Sequence, residues 1–305
     1  MAPQNILKSK WQQFLDWVER KTRKVILPGL EGLSLYDLLV IYSGGIIKGT
    51  FSTRASAISY SFFIAIFPFL LFMLNLIPYV TFIDDFQIRF LYFVETLLPP
   101  NTGDYFGEIF LDIAKNPRGG LLSFSFLLSI FLMTNGVNSI FTSFEFSYHT
   151  NNNRSIPRQY AVAIGIAIIL ALLLLISVII AVYIIYIIDD LKDLGLANDF
   201  GGKVIQYIAF IILIYTAVAI LYYFGTREAR KARFFSVGAL FSTILFLLTT
   251  YLFSIYITNF SNYNELYGSI GALLILMFYI WLNSNILLLG FELNASILNL
   301  RRKFK

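Results

Sequence analysis

A chain of 305 residues that is 58% hydrophobic and only 13% charged cannot coat a water-facing surface, since soluble globular chains carry about 25% charged residues. An ordinary soluble enzyme is thereby excluded. With no cysteine and one histidine, disulfides, thiolate metal sites, a cysteine nucleophile and multi-histidine metal motifs are excluded too. The net charge of +5 matters less for its size than for its placement.

In chain order, the N-terminal segment 1–30 is polar and basic, and 1–24 has no continuous apolar core of the kind a signal peptide needs. Leu7, Trp11, Phe14, Leu15 and Val18 share one helical stripe. This predicts an amphipathic helix, either lying on the anionic inner leaflet or docked on the rest of the protein. Segment 34–47 is apolar but too short to span. Ser34 and Asp37 resemble a capping box and Gly44-Gly45 bends the end, so an interfacial elbow helix is expected.

A bilayer core takes about 20 apolar helical residues. Six stretches meet that requirement: 57–80, 121–144, 161–188, 204–225, 236–257 and 268–290. The third has no charge in 28 residues and is roughly 42 Å long at helical rise, so it must tilt or protrude. None of the six alternates apolar and polar residues as a β-barrel strand would. Between the first two lies a long loop, 81–120. Asp84-Asp85, Pro99-Pro100, Asp104 and Asn116-Pro117 punctuate it, which predicts an amphipathic helical hairpin. A basic tail, 299–305, closes the chain. The fold expected is an all-α polytopic bundle of six transmembrane helices, spanning 31–298, with interfacial helices beside it.

Of the 23 Lys and Arg, eighteen fall in the termini and in alternate loops on one side. The positive-inside bias therefore places both termini in the cytoplasm. Eleven of the eighteen acidic residues lie on the other side.

Ionisable and amide side chains inside spans are costly and mark candidate sites. Asn135, Asn138, Thr142 and Glu145 form one polar stripe on the second span. The sixth carries Trp281, Asn283, Ser284, Asn285, Glu292 and Asn294, with Asn285 and Glu292 on one face and Asn283, Gly290 and Asn294 on the opposite one. These patterns give a candidate cavity of Tyr60, Asn135, Asn138, Asn285 and Glu292. They also give a candidate inner charge layer of Arg54, Glu145 and Glu292, three residues expected at one depth; the plainer reading puts each in the headgroup region. Pro68 frees the carbonyl of Ile64 and kinks the first span, as simple bending or as a gate. Gly238 and Ser242 form a small-x3-small pair suited to close packing.

From Gly238 onward the sequence contains YLFSIYITNFSNYNELYGSIGA and NILLLGFELNA, and the first span opens RASAISYSFFIAIFPFLLF. These resemble the signature segments of the YihY/BrkB family of bacterial inner-membrane proteins over about residues 35–298. Matching positions include Arg54, Ala57, Tyr60, Pro68, Tyr256, Tyr263, Asn264, Tyr267, Gly268, Gly290, Glu292 and Asn294. At Gly225-Thr226 the chain departs from the Pro-Asn-like turn of many members. The resemblance implies a multi-pass inner-membrane protein carrying labels of virulence, serum resistance or "ribonuclease BN", with suggestions of transport and envelope-lipid handling. It carries over no catalytic residue.

A nuclease needs a metal-binding carboxylate cluster or a paired acid and base. The one histidine, His149, has no acidic cluster beside it in sequence. Neither a catalytic role, a cofactor, a metal nor a nucleic-acid partner is expected. The favoured expectation is a transporter-like protein that handles an amphiphile, such as an envelope lipid, or a small ion. It has no Walker A motif and so no ATPase of its own. The alternative is a non-transporting membrane scaffold or assembly factor, whose buried amides and carboxylates only join helices.

Overall fold

The computed structural model describes residues 12–13, 16–17, 19–23, 34, 36, 50–76, 119–146, 154–193, 199–231, 233–259 and 269–303. Six long α-helices carry nearly all of them: α1 (Thr50–Leu76), α2 (Gly119–Glu145), α3 (Ile156–Asp193), α4 (Asp199–Gly225), α5 (Val237–Asn259) and α6 (Ser269–Lys303). The predicted elbow helix and outer hairpin fall almost wholly outside the described residues. In the N-terminal segment residues 19–22 are helical, with an Arg23–Glu19 ion pair of 3.1 Å one turn apart.

Helices are what such a sequence must form, because an apolar chain in lipid has to satisfy its backbone groups within the segment. Five of them, α2 to α6, are long and apolar enough to cross a membrane. The first predicted span falls in α1, which is 27 residues long and runs through Pro68 to Leu76. Two helices overrun any bilayer. The 38 residues of α3 make a rod of about 57 Å, ending in Asp189, Asp190 and Asp193. At the other extreme, α6 runs on into Arg301, Arg302 and Lys303.

Each helix packs on its successor and α6 returns to pack on α1. The chain thus forms an up-and-down ring. The start of α1, the end of α2, the start of α3, the end of α4, the start of α5 and the end of α6 gather at one end. It carries Arg54, Arg154, Arg227 and Arg230 and is called the basic end below.

The core is concentrated there. On α3 the buried positions are Gln159, Ala163, Ile166 and Ala167; on α5 they are Gly238, Ala239, Ser242 and Thr243. On α6 they run from Ser284 to Ile297, and on α4 from Val218 to Gly225 with Gly202 apart. Only α1 and α2 stay packed toward the far end, through Ala65, Phe69, Ser125 and Ser129. Within the candidate spans 44% of α2 is buried, against 17% of α3 and 22% each of α4, α5 and α6.

Candidate functional site

Three aromatic rings close the basic half. Phe144 of α2 stacks flat on Phe291 of α6, with centroids 3.9 Å apart and planes 5° apart. Tyr222 of α4 meets both edge-on, at 5.7 and 5.9 Å. All three are at most 3% exposed, so no solvent path runs between them. The Tyr222 hydroxyl donates to Leu287 O (2.7 Å) and lies 2.6 Å from Ser242 Oγ.

Small residues allow this approach. A Cβ on Gly290 would overlap Ser242 Oγ, and one on Gly238 would overlap the Gly290 carbonyl oxygen and the Asn294 amide. The small pair predicted at Gly238 and Ser242 is thus the seam where α5 meets α6. Asn294 fastens that seam. Its Oδ1 accepts the Gly238 N–H (2.8 Å) and its Nδ2 donates to Ser236 Oγ (2.7 Å). Ser236 itself caps α5 by accepting the Ala239 N–H (3.3 Å).

A polar chain runs along the α2–α3 contact. The Gln159 amide, oriented by its hydrogen-bonding network, donates to both Glu145 oxygens at 3.2 and 3.1 Å. Its oxygen faces Asn138 and Thr142, each at 2.9 Å. Glu145 also accepts the Arg154 main-chain N–H at 3.1 Å. The Arg154 guanidinium crosses to α4, where Nη1 donates to Phe224 O (2.8 Å) and Gly225 O (3.2 Å). Burial lowers the Arg154 pKa from its ordinary value, with the nearby Arg230, Arg227 and Arg158 charges acting in the same direction and Glu145 against them.

The sequence-predicted residues separate into distinct surroundings. Asn138 and Glu145 join the α2–α3 chain, and Asn135 lies one turn away on α2, half-buried. Arg54 donates to Ser143 O at the last turn of α2 (2.9 Å) and lies over the Phe51 ring. Glu292 is only 4% exposed and follows Phe291 of the aromatic layer. Asn285 donates to Trp281 O one turn back on its own helix (2.8 Å). Tyr60 is not brought to any of these. It is 59% exposed, because helical spacing sets it opposite the buried face of Phe51, Ile58 and Phe69. Its neighbours Ser59 and Ser61 instead bond to Met277 O (3.2 Å) and Ser139 Oγ (3.0 Å).

Sequence reasoning missed Arg154 and Gln159. Arg154 counts in sequence as one more loop cation. A signal was present in Gln159, the lone amide at the head of an otherwise apolar span, behind the helix-opening Ser155-Ile156-Pro157.

Taken together, the apolar helices, the interior polar chain and the aromatic closure define an all-helical, multi-pass integral membrane protein. The chain belongs to the family described as virulence factor BrkB, which matches residues 45–304. It is similar to the ribonuclease-like protein YfkH of Bacillus subtilis, 29% identical over 261 residues, covering 82% of this chain and 91% of that one. It is also similar to a UPF0761 membrane protein of Mannheimia succiniciproducens, 25% identical over 253 residues (81% and 84% of the two chains). A shorter stretch of 86 residues is 40% identical to a UPF0761 membrane protein of Pseudoalteromonas translucida, covering 28% of this chain and 26% of that one. No solved structure matches the chain.

Proposed function

We propose that the protein is a six-span, transporter-like protein of the bacterial inner membrane that moves or handles an amphiphile, or a small ion, across part of the bilayer. In this reading α1 is the sixth span and the basic end, with both termini, faces the cytoplasm. The observation that carries it is the change of packing with depth. The aromatic layer of Phe144, Phe291 and Tyr222 seals one half, while among the described residues α3 and α5 bury none in their far halves, α4 only Gly202 and α6 only Ser284. A bundle needed only as a scaffold gains nothing from leaving half its length loosely packed.

The polar side chains fit the same reading. Asn135, Asn138 and Asn285 stand just beyond the sealed layer, where a polar group entering from the far side meets them, and Glu292 follows Phe291 on its basic side. In this reading Arg54, Glu145 and Glu292 supply charge behind it, each in its own surroundings. The scaffold is the second reading, favoured by one observation: Asn283 and Asn285 bond within their own helix (2.8 Å each). A nuclease, as the name of the Bacillus relative suggests, is the weakest. The polar chain holds a single carboxylate, Glu145, among amides, a hydroxyl and an arginine, and among the described residues no three His, Asp or Glu come together.

The test is reconstitution into vesicles with a fluorescent phospholipid or a permeant ion as probe. The wild-type protein accelerates movement of one probe across the bilayer, and Glu292→Gln inserts normally but abolishes it. Vesicles in which the wild type moves neither probe would rule out transport and leave the scaffold. Retained transport by Glu292→Gln would reduce Glu292 to a helix-joining group.

A further inference from the structure

Two loops of the basic end bring more positive charge together than the helices need. The Arg154 side chain is 7% exposed. Its Nη1 caps the end of α4 through two carbonyls, a sufficient role for a cation at a helix C-terminus. Its Nη2 is buried and has no hydrogen-bond partner among the described residues. A guanidinium has five donors and no acceptor, and leaving a charged donor unsatisfied in the interior is costly. Glu145 takes the main-chain N–H of Arg154 and the Gln159 amide, not this nitrogen.

Arg230 joins it on the same residue of α4. The guanidinium of Arg230 lies 5.2 Å from the centre of the Phe224 ring, while the Phe224 carbonyl holds Arg154. The turn that carries Arg230 is fixed from within, since Thr226, 1% exposed, accepts the Ala229 N–H at 3.1 Å. Arg227 and Arg158 are exposed and near enough for their charges to act on Arg154. Apolar side chains are also exposed at this end of the bundle: Ile156 is 74% exposed, Phe235 59% and Tyr160 42%.

We propose that this corner binds the phosphate of an anionic phospholipid, with Arg158, Arg227 and Arg230 in direct contact and Arg154 supplying the unmatched donor behind them. Arginine forks suit phosphate oxygens, and a basic pocket between membrane helices is where an anionic headgroup docks. The exposed Ile156, Tyr160 and Phe235 at this end favour a lipid over free phosphate, because acyl chains cover them and a water-soluble anion does not. The site stands whether or not the protein transports anything.

The experiment uses the full-length protein in an uncharged detergent. Binding of dioctanoyl phosphatidylglycerol, dioctanoyl phosphatidylcholine and inorganic phosphate is measured by native mass spectrometry and calorimetry. Phosphatidylglycerol is expected to bind saturably and at least about tenfold tighter than phosphatidylcholine, and the double variant Arg227→Gln, Arg230→Gln is expected to lose that factor of about ten without a change in thermal stability. Both arginines are exposed, so this variant folds even if Arg154→Gln does not. Equal binding of the two lipids, or undiminished binding by the double variant, overturns the proposal. Displacement of phosphatidylglycerol by an equal concentration of inorganic phosphate overturns its lipid part.

Discussion

The basic half and the far half of the bundle use the same residue types and pack them differently. In the basic half, Gly238, Ser242 and Gly290 let α4, α5 and α6 close to backbone contact around Tyr222, and Phe144 and Phe291 stack without a gap. In the far half, Phe253 touches Tyr279 at 4.9 Å and Phe278 at 6.3 Å, yet Phe278 remains 49% exposed. Aromatic content therefore does not close a membrane bundle; small residues at the crossing do. In lipid no hydrophobic force drives helices together, so van der Waals fit and hydrogen bonds decide which half is tight.

Breaking that fit gives the largest expected effect. Gly290→Val puts two extra branches where even a Cβ overlaps Ser242 Oγ, and overpacking of this kind costs about 3 kcal/mol or more. Loss of the monodisperse folded protein on size-exclusion chromatography checks it. Gly120→Ala, with nothing within 4 Å of the new Cβ, should behave as wild type.

Phe144→Ala follows. It empties the centre of the aromatic layer and should cost about 3–4 kcal/mol, seen as a fall in the melting temperature of the purified protein. Phe253→Ala, in the open half, should cost about 1 kcal/mol or less because its site is already loose. Near-equal losses from the two would erase the contrast between halves.

Two polar substitutions sharpen the comparison. Asn294→Ala strips α5 of an acceptor for the Gly238 N–H and unties Ser236, for about 1 kcal/mol. Thr250→Val removes an exposed 2.7 Å contact with the Tyr279 hydroxyl and should cost about 0.6 kcal/mol or less, the usual worth of such a bond between membrane helices. Chemical denaturation in mixed micelles ranks the two.

Much of the architecture is legible in the sequence for a simple reason. A helix that crosses lipid needs about 20 apolar residues, and such runs are visible without any knowledge of packing. The Gly238–Ser242 seam was readable from spacing. The neighbours of polar residues were not, because helical periodicity gives the face of a side chain but not the helix opposite. Asn138 falls on the interior stripe, yet nothing local tells that Gln159 of α3 meets it. Arg154 was unreadable for the same reason: its carbonyl partners Phe224 and Gly225 lie 70 and 71 residues away. Tyr60 points outward while Ser59 and Ser61 turn inward on either side of it.

The central claim is that the bundle is sealed at its basic end and open beyond Tyr222, and side-specific thiol labelling tests it most directly. The protein has no cysteine of its own, so each introduced thiol reports alone. Asn283 stands two turns from Gly290 on the same face of α6, just past the aromatic layer, and is half-buried; Val137 is 0% exposed. In membrane vesicles of known orientation, Asn283→Cys should react with a charged, impermeant maleimide added on the far side and not on the basic side. Val137→Cys should react from neither. Labelling of Asn283→Cys from the basic side, or its complete protection from both, would contradict the account.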